Sequence, residues 1–440
     1  MNTNDTTPLV SKKILLPFVL ITSLFALWGF ANAVTDPMVQ AFKKVLELTN
    51  SQAAWVQMAF YGGYFCMALP AALFVRKFSY KSGIIIGLTL YAVGALLFYP
   101  AATTQQFWFF CLGLYVLTFG LAFLETTANP YILSMGNSKT AIRRLNLAQA
   151  FNPVGLVLGL LVAKFFVLEK LQSDDYENYS ALAEAKKTLI RTSDLMVIRD
   201  PYVILGIVVL AVLVMILLNK MPQVRDEEGI PSLSKTFSSL FKNKRYVYGV
   251  LALVMYMGAQ IMCWTYIYQY AEGIGVSSET AANYQLAAFF LFTIGRAIGT
   301  YLLKFMSSSK LLFYFALFGI ICCLGTMFVQ NEIGLYFLVM ISAFLSIMFP
   351  TIYGIALDGL SEEDSKIGAA GLVMAIVGGA LLPQLQGILI DLGGAGVSDI
   401  KILGISEINF SFVLPAICFL MVALYATAVY RNKFSAEKAS

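Results

Sequence analysis

The sequence predicts an all-α membrane protein whose twelve transmembrane helices form two similar six-helix bundles. Three observations lead to this prediction. Of the 440 residues, 59% are hydrophobic and only 12% are charged, whereas water-soluble proteins carry about 25% charged residues. Apolar segments long enough to cross a bilayer recur along the whole chain. The first six of these segments also share motifs and polar positions with the last six.

The predicted spans are separated by short polar turns or by longer polar loops. They lie near residues 14–41, 51–76, 82–101, 105–136, 143–168, 201–220, 246–274, 280–305, 309–328, 332–357, 364–392 and 407–430. A polar linker at residues 221–245 separates an N-terminal bundle, residues 1–220, from a C-terminal bundle, residues 246–440. Its segment "SLSKTFSSLFKNKR" predicts either a short amphipathic helix on the inner leaflet or a solvated linker.

Lys and Arg residues in the loops predict the orientation, because cytoplasmic loops carry an excess of them. With the N-terminus inside, roughly 20 basic residues fall on one face and roughly eight on the other. We therefore expect both termini in the cytoplasm and a multi-pass protein of the inner (plasma) membrane.

The two halves repeat each other at matching places. "ALFVRKFSYKSG" after the second span resembles "TYLLKFMSSSK" after the eighth. Pro130 in the fourth span corresponds to Pro350 in the tenth, and Trp28 in the first span to Trp264 in the seventh. Such a repeat in twelve helices is typical of transporters built from two similar bundles that rock about a central site.

Several kinds of chemistry are excluded or disfavoured. The chain has no histidine, which rules out histidine-based triads, HExxH metal sites and histidine proton relays. The six cysteines lie inside apolar segments and form no CxxC pair. The only Asp-Asp pair, Asp174-Asp175, lies in a polar loop, so a membrane-embedded acyl- or prenyl-transferase is disfavoured. We expect no enzyme activity, no catalytic residue, no metal, no cofactor and no nucleic-acid partner.

Three charged residues lie well inside apolar spans: Asp36 in the first, Glu125 in the fourth and Arg296 in the eighth. A charge at membrane depth costs several kcal/mol, so it normally faces a cavity or a partner. Because burial disfavours the charged form of a carboxyl group, Asp36 and Glu125 are candidates for proton uptake and release. An ion pair of Glu125 or of Asp36 with Arg296 is the structural alternative.

Neutral polar residues lie near these charges on rows spaced by three or four, so each row occupies one helical face. The rows are Trp28, Asn32 and Asp36; Glu125 and Asn129; Asn146, Gln149 and Asn152; and Gln260, Trp264 and Tyr268. Hydrogen bonds between helices are the plain interpretation. Indole rings beside carboxamides also favour a sugar site, since the rings stack on a sugar and the amides bind its hydroxyl groups.

Six motifs resemble the L-fucose/proton symporter family of the major facilitator superfamily, in the same order and on the same helices. They are "LWGFANAVTD" (27–36), "LAFLETTANPY" (121–131), "RLNLAQAFNPVG" (144–155), "GAQIMCWTYIYQYA" (258–271), "IGRAIGT" (294–300) and "SAFLSIMFPTIY" (342–353). The resemblance spans nearly the whole chain and implies the superfamily fold.

The resemblance implies that Asp36 and Glu125 are the proton-coupling acids, with Glu125 also binding sugar. Related glucose/galactose carriers resemble this chain but have glutamine at the position of Glu125, so this residue favours the fucose branch. The candidate substrate-binding residues come from the polar rows and from the matched motif positions together. They are Trp28, Asn32, Glu125, Asn129, Gln149, Asn152, Gln260, Trp264, Tyr268 and Arg296.

Two positions depart from the family motifs. Ala33 replaces the second asparagine of an Asn-Asn pair, and Phe349 replaces a tyrosine before Pro350. Both changes remove hydrogen-bonding capacity near the expected sugar site, so a related monosaccharide is an alternative substrate.

The favoured function is proton-coupled import of L-fucose by alternating access. The rivals are transport of another hexose, of the glucose/galactose type, and drug/proton antiport, although carboxamide-rich rows suit a promiscuous apolar cavity poorly. The expected partners are sugar, protons and membrane lipid, with the chain acting as a monomer.

Overall fold

The computed structural model describes residues 9–48, 50–176, 179, 182–222, 233–393 and 400–431, and its regular structure is almost entirely helical. Eleven stretches of these described residues are long and apolar enough to cross a membrane. A further helix, Asn50–Lys77, occupies the second predicted span. The predicted all-α membrane fold is therefore confirmed, and twelve spans are consistent with it.

The helices follow the predicted spans, with several spans divided into two. The first half contains α1 (Leu15–Val45), α2 (Asn50–Lys77), α3 (Tyr80–Leu96), α4 (Phe98–Thr104), α5 (Phe107–Ser134), α6 (Ala141–Gln149), α7 (Phe151–Val162) and α8 (Glu184–Leu218). The second half contains α9 (Leu233–Lys242), α10 (Lys244–Thr265), α11 (Ile267–Gly273), α12 (Ser278–Leu302), α13 (Ser308–Phe328), α14 (Glu332–Leu345), α15 (Met348–Leu357), α16 (Glu362–Met374), α17 (Gly378–Ile390), α18 (Glu407–Ser411) and α19 (Val413–Tyr430).

A two-stranded hairpin precedes α18. Its strands, β1 (Lys401–Ile402) and β2 (Ile405–Ser406), pair antiparallel. Leu403 and Gly404 between them have φ angles of 55° and 83°. Positive φ at both central residues is the conformation of a type I′ turn, which matches the twist of two-residue hairpins.

Packing divides the chain into two compact units. The first contains residues 1–136 and 151–226, and the second contains residues 137–150 and 227–440. The helix α6, which begins the fifth span, thus packs with the second unit, while α7 of the same span packs with the first. The predicted boundaries at 220 and 246 stay a prediction.

Three of the divided spans break four residues before a proline: Pro100, Pro153 and Pro350. Proline has no backbone N–H, and its ring clashes with the carbonyl group four residues earlier, which interrupts the helix. In the fifth and tenth spans the carbonyl groups left without a helical donor are those of Gln149 and Ser346. Other prolines, such as Pro130 in α5, lie within continuous helices.

In the first unit, α1 and α7 pack closely through glycine. A Cβ atom added to Gly155 would overlap the carbonyl oxygen of Ala26, and one added to Gly29 would overlap the carbonyl oxygen of Asn152. Small residues that let backbones approach are the usual means of helix association in membranes. This contact brings the row that begins at Trp28 next to the start of α7.

The sixth span differs from its predicted extent, because α8 begins at Glu184, within the polar loop predicted before residue 201. The buried carboxylate of Asp194 on this extension accepts hydrogen bonds from the backbone N–H groups of Gln172 (2.8 Å) and Ser173 (3.0 Å). These two hydrogen bonds hold the loop that contains Gln172 and Ser173 against α8. Hydropathy alone marks only the apolar part of such a helix.

Candidate functional site

The row on α1 begins with a fixed indole ring. Trp28 is 5% exposed, and its Nε1 donates a hydrogen bond to the hydroxyl oxygen of Tyr64 on α2 over 2.6 Å. Its ring stacks on Phe25 with centroids 5.6 Å apart. Since Tyr64 takes the N–H group and Phe25 stacks on the ring, the side chain of Trp28 is held in one orientation.

One turn later, Asn32 presents a buried amide oxygen, Oδ1, that has no hydrogen-bond partner among the described residues. An acceptor left in this state costs about 1–3 kcal/mol. A ligand hydroxyl would remove that cost. The backbone of Asp36 continues the same face of α1 one further turn along, but its side chain lies outside the described residues.

Glu125 lies in the most buried part of α5. The residue is 5% exposed, and every residue from Gly120 to Ile132 is buried. The side chain of Asn129 donates from Nδ2 to the backbone oxygen of Glu125 over 3.0 Å and not to its carboxyl group. The sequence prediction that Glu125 lies away from bulk water is therefore consistent with the structure.

Asn152 on α7 lies beside the row of polar residues on α1. Its Nδ2 donates to the backbone oxygen of Phe25 over 3.2 Å, and the residue is only partly buried. Because Phe25 also stacks on Trp28, Asn152 lies beside the indole row of α1. The first unit thus brings Trp28, Asn32 and Asn152 together along the contact between α1 and α7.

The row predicted for the fifth span is divided between the units. Asn146 and Gln149 on α6 belong to the second unit, whereas Asn152 on α7 belongs to the first. Within the second unit, Nδ2 of Asn146 donates to Oγ1 of Thr351 on α15 over 3.2 Å. The break at Ala150 between α6 and α7 therefore separates residues that a regular helix would have kept on one face.

In the second unit, Trp264 on α10 is held by three side chains. Its Nε1 donates to Oγ of Ser342 on α14 over 3.1 Å. The rings of Phe289 and Phe292 on α12 lie nearly perpendicular to the indole, with centroids 4.9 and 5.2 Å away. As with Trp28, the N–H group is used inside the unit; the indole of Trp264 is partly exposed, so ring surface remains for a ligand.

The other two residues of the seventh-span row, Gln260 and Tyr268, do not lie on one continuous helix. Gln260 is buried on the same face of α10 as Trp264. Tyr268 follows the break at Tyr266, lies on α11 and is 41% exposed. The spacing of four therefore describes Gln260 and Trp264 but does not carry through to Tyr268.

Arg296 on α12 is 3% exposed and bonds to two backbone carbonyl groups. Its Nε donates to the oxygen of Ser346 over 2.5 Å, and a terminal nitrogen donates to the oxygen of Gln149 over 2.9 Å. These are the two carbonyl groups that Pro350 and Pro153 leave without helical donors. Arg296 therefore joins the two proline breaks of α6–α7 and α14–α15.

Arg296 also supports Trp264 through an intervening ring. The guanidinium group lies over Phe292, 4.6 Å from the ring centroid, and the ring of Phe292 lies nearly perpendicular to that of Trp264. Ser342 on α14 accepts from Trp264 through its hydroxyl oxygen, and Ser346, which follows the last residue of α14, accepts from Arg296 through its backbone oxygen. This geometry makes Arg296 a positioning residue for the indole, while its predicted contact with substrate stays a prediction.

Sequence reasoning did not identify Ser342, Ser346, Phe289 or Phe292. Serine and phenylalanine are common in apolar spans and carry no signal of their own. A usable signal was present in the prolines, because a proline in a span leaves one carbonyl group that needs a donor. A buried arginine is a suitable donor, since its guanidinium group offers five N–H groups.

A double-mutant cycle tests the link between Arg296 and the proline break. Arg296→Met leaves two carbonyl groups without donors, and we expect a loss of unfolding free energy of about 1–3 kcal/mol for each. Pro350→Ala gives the Ser346 carbonyl group a helical donor. In that background Arg296→Met should cost at least about 1 kcal/mol less, measured by unfolding in detergent.

Pro130→Ala is the matched control for this cycle, because Pro130 lies in a continuous helix of the other unit. It should show no coupling to Arg296→Met. An equal cost of Arg296→Met in the parent and in Pro350→Ala would contradict the assigned role.

The sequence was compared with protein families and curated proteins. Residues 18–383 match the family model of the Major Facilitator Superfamily. The L-fucose-proton symporter of Haemophilus influenzae is 52% identical over 428 residues, which cover 96% of this chain and 98% of that protein. The glucose/galactose transporter of Brucella abortus biovar 1 is 32% identical, covering 92% of each chain.

Solved structures give the same picture. The crystal structure of the Escherichia coli fucose:proton symporter superposes with a TM-score of 0.84 at 33% sequence identity. The match covers 94% of this chain and 99% of that one. The resemblance inferred from the motifs is thereby confirmed.

Proposed function

The chain belongs to the Major Facilitator Superfamily, and from that premise we propose that it is a proton-coupled symporter that imports L-fucose. The family is one of membrane transporters and not of enzymes. The 52% identity to an L-fucose-proton symporter over almost its full length supports the substrate. The observation in the structure that carries the proposal is the buried carboxyl-bearing residue Glu125.

The titratable side chains of this chain support proton coupling through carboxyl groups. It contains no histidine, so a proton that crosses with the sugar has to move on carboxyl groups. In a span, a neutral carboxyl group is far cheaper than a charged one. We assign the proton step of the conformational switch to Asp36, and both protonation and sugar binding to Glu125.

The tryptophans would bind the sugar by stacking. Each unit holds one indole whose N–H is already bonded, to Tyr64 for Trp28 and to Ser342 for Trp264. An indole fixed in this way loses little side-chain freedom on binding, which favours affinity. Asn32, Asn129, Asn152, Gln149 and Gln260 would supply hydrogen bonds to the sugar hydroxyl groups.

The setting of the protein is part of the same proposal. We place it in the inner membrane with both termini in the cytoplasm, on the distribution of Lys and Arg. We also propose that a monomer suffices for transport, with lipid as its surroundings.

A panel of monosaccharides tests the substrate. Each sugar is added to cells or proteoliposomes that contain the protein, suspended in an unbuffered medium. The pH of that medium is recorded. L-Fucose should make the medium alkaline, because protons enter with it. Alkalinisation by glucose or galactose alone would assign the protein to the other hexoses. Proton movement driven by apolar cations and by no sugar would indicate drug antiport instead.

Asp36→Asn should abolish uphill uptake of sugar while binding and exchange are at least partly kept. The carboxamide has the shape of the acid but cannot take up or release a proton. Accumulation and exchange of labelled L-fucose are measured in the same vesicles, with Glu272→Gln, an exposed acid on α11, as control. A variant that still concentrates sugar under a proton-motive force would disprove the coupling role.

Trp264→Ala should weaken sugar binding by about 1.5 kcal/mol, roughly tenfold in Kd, because the stacking surface is lost. Isothermal calorimetry with L-fucose measures the change. Trp108→Ala is the matched control, since Trp108 is 61% exposed at the start of α5 and should leave the affinity unchanged. An unaltered Kd in Trp264→Ala would reject stacking.

A further inference from the structure

The helix α9 lies at one end of a membrane span. Only Asn243 separates it from α10, which begins at Lys244 and crosses the membrane. Asn243 caps α10 by accepting a hydrogen bond from the backbone N–H of Tyr246 over 3.1 Å. This short, capped connection keeps α9 at the level of the membrane surface.

Two contacts with α16 fix the rotation of α9 about its own axis. Ser239 donates from Oγ to Oδ2 of Asp364 over 2.9 Å. Leu240 is buried, and a Cβ atom on Gly368 would lie 3.3 Å from its side chain. Because α16 runs from its three acidic residues into the membrane, Gly368 lies one turn deeper than Asp364. The Leu240 side of α9 therefore faces the membrane.

A row of large apolar side chains lies beside Leu240. Leu233, Phe237 and Phe241 are spaced by four; Leu233 is 44% exposed and Phe241 is 73% exposed. At about 100° per residue, the centre of this row lies roughly 60° from Leu240 around the helix. Lys235 and Lys242 lie about 140–160° from Leu240, on the opposite side. The exposed apolar row thus turns toward the membrane and the lysines turn away from it.

We propose that α9 is an interfacial anchor that inserts this row at the boundary between the head groups and acyl chains of an anionic bilayer. The helix carries two lysines and no acidic residue, which is the charge that an anionic lipid surface attracts. A helix is about 10–12 Å across, so its lysines lie close to one Debye length, about 8–10 Å, from the phosphate groups. The anchor acts on α10, the helix that carries Trp264, and holds its end at a fixed depth.

Spin labels at two positions test the insertion. Phe241→Cys and Lys235→Cys are made in the full-length protein with Cys66 and Cys111 changed to alanine, because the other four cysteines are buried. After reconstitution, power saturation compares access to oxygen, which enters lipid, with access to a water-soluble nickel chelate. The label at 241 should favour oxygen and the label at 235 should favour nickel.

The other outcomes at position 241 overturn the proposal. A label that favours nickel would place the row in water. A label shielded from both reagents would mean that a protein surface or a second copy of the chain covers the row.

The charge requirement has its own test. A lysine at an anionic surface contributes about fivefold to association, and one Debye length away this contribution falls to about twofold. The label at 241 should therefore lie deeper in bilayers that contain anionic lipid than in neutral ones, and Lys235→Gln/Lys242→Gln should remove this difference. An equal depth of the parent in both bilayers would overturn the preference for anionic lipid.

Discussion

The absence of water inside a bilayer is the constraint on which the rest of this structure depends. Each backbone polar group at membrane depth needs a partner, either within the protein or in a water-filled cavity. Arg296 meets this need for two carbonyl groups at once, those of Gln149 and Ser346. Prolines interrupt the helices of the fifth and tenth spans at these places. The arginine offsets the cost of these interruptions by donating to the two carbonyl groups. The same demand binds each indole N–H to a neighbouring hydroxyl group.

These internal bonds determine which groups are left for a ligand. Trp264 retains ring surface, Asn32 retains a buried acceptor, and Glu125 retains a buried carboxyl group. A sugar offers apolar faces and hydroxyl groups, and a proton neutralises a carboxylate. We therefore propose that the sugar and the proton bind to the groups that the contacts between helices leave unpaired. The positions of Ser342, Phe289 and Phe292 then matter because they fix the orientation of Trp264.

The sequence predicted the fold class and the burial of Glu125, since both follow from hydropathy and from the cost of charge in lipid. It also located Trp28, Asn32 and Trp264 on helical faces. It did not predict that the row of Asn146, Gln149 and Asn152 is divided between two units, because a spacing rule assumes an unbroken helix. The bonds of Arg296 were equally hidden, since their acceptors are backbone groups created by Pro153 and Pro350.

The central claim is that a buried carboxyl group of the first unit couples proton movement to sugar movement. Simultaneous recording of proton flux and L-fucose flux in proteoliposomes with Glu125→Gln tests it most directly. The account predicts that sugar flux down its gradient no longer carries protons, because the amide cannot release one. Proton flux that still accompanies each sugar at the parental ratio would contradict the account.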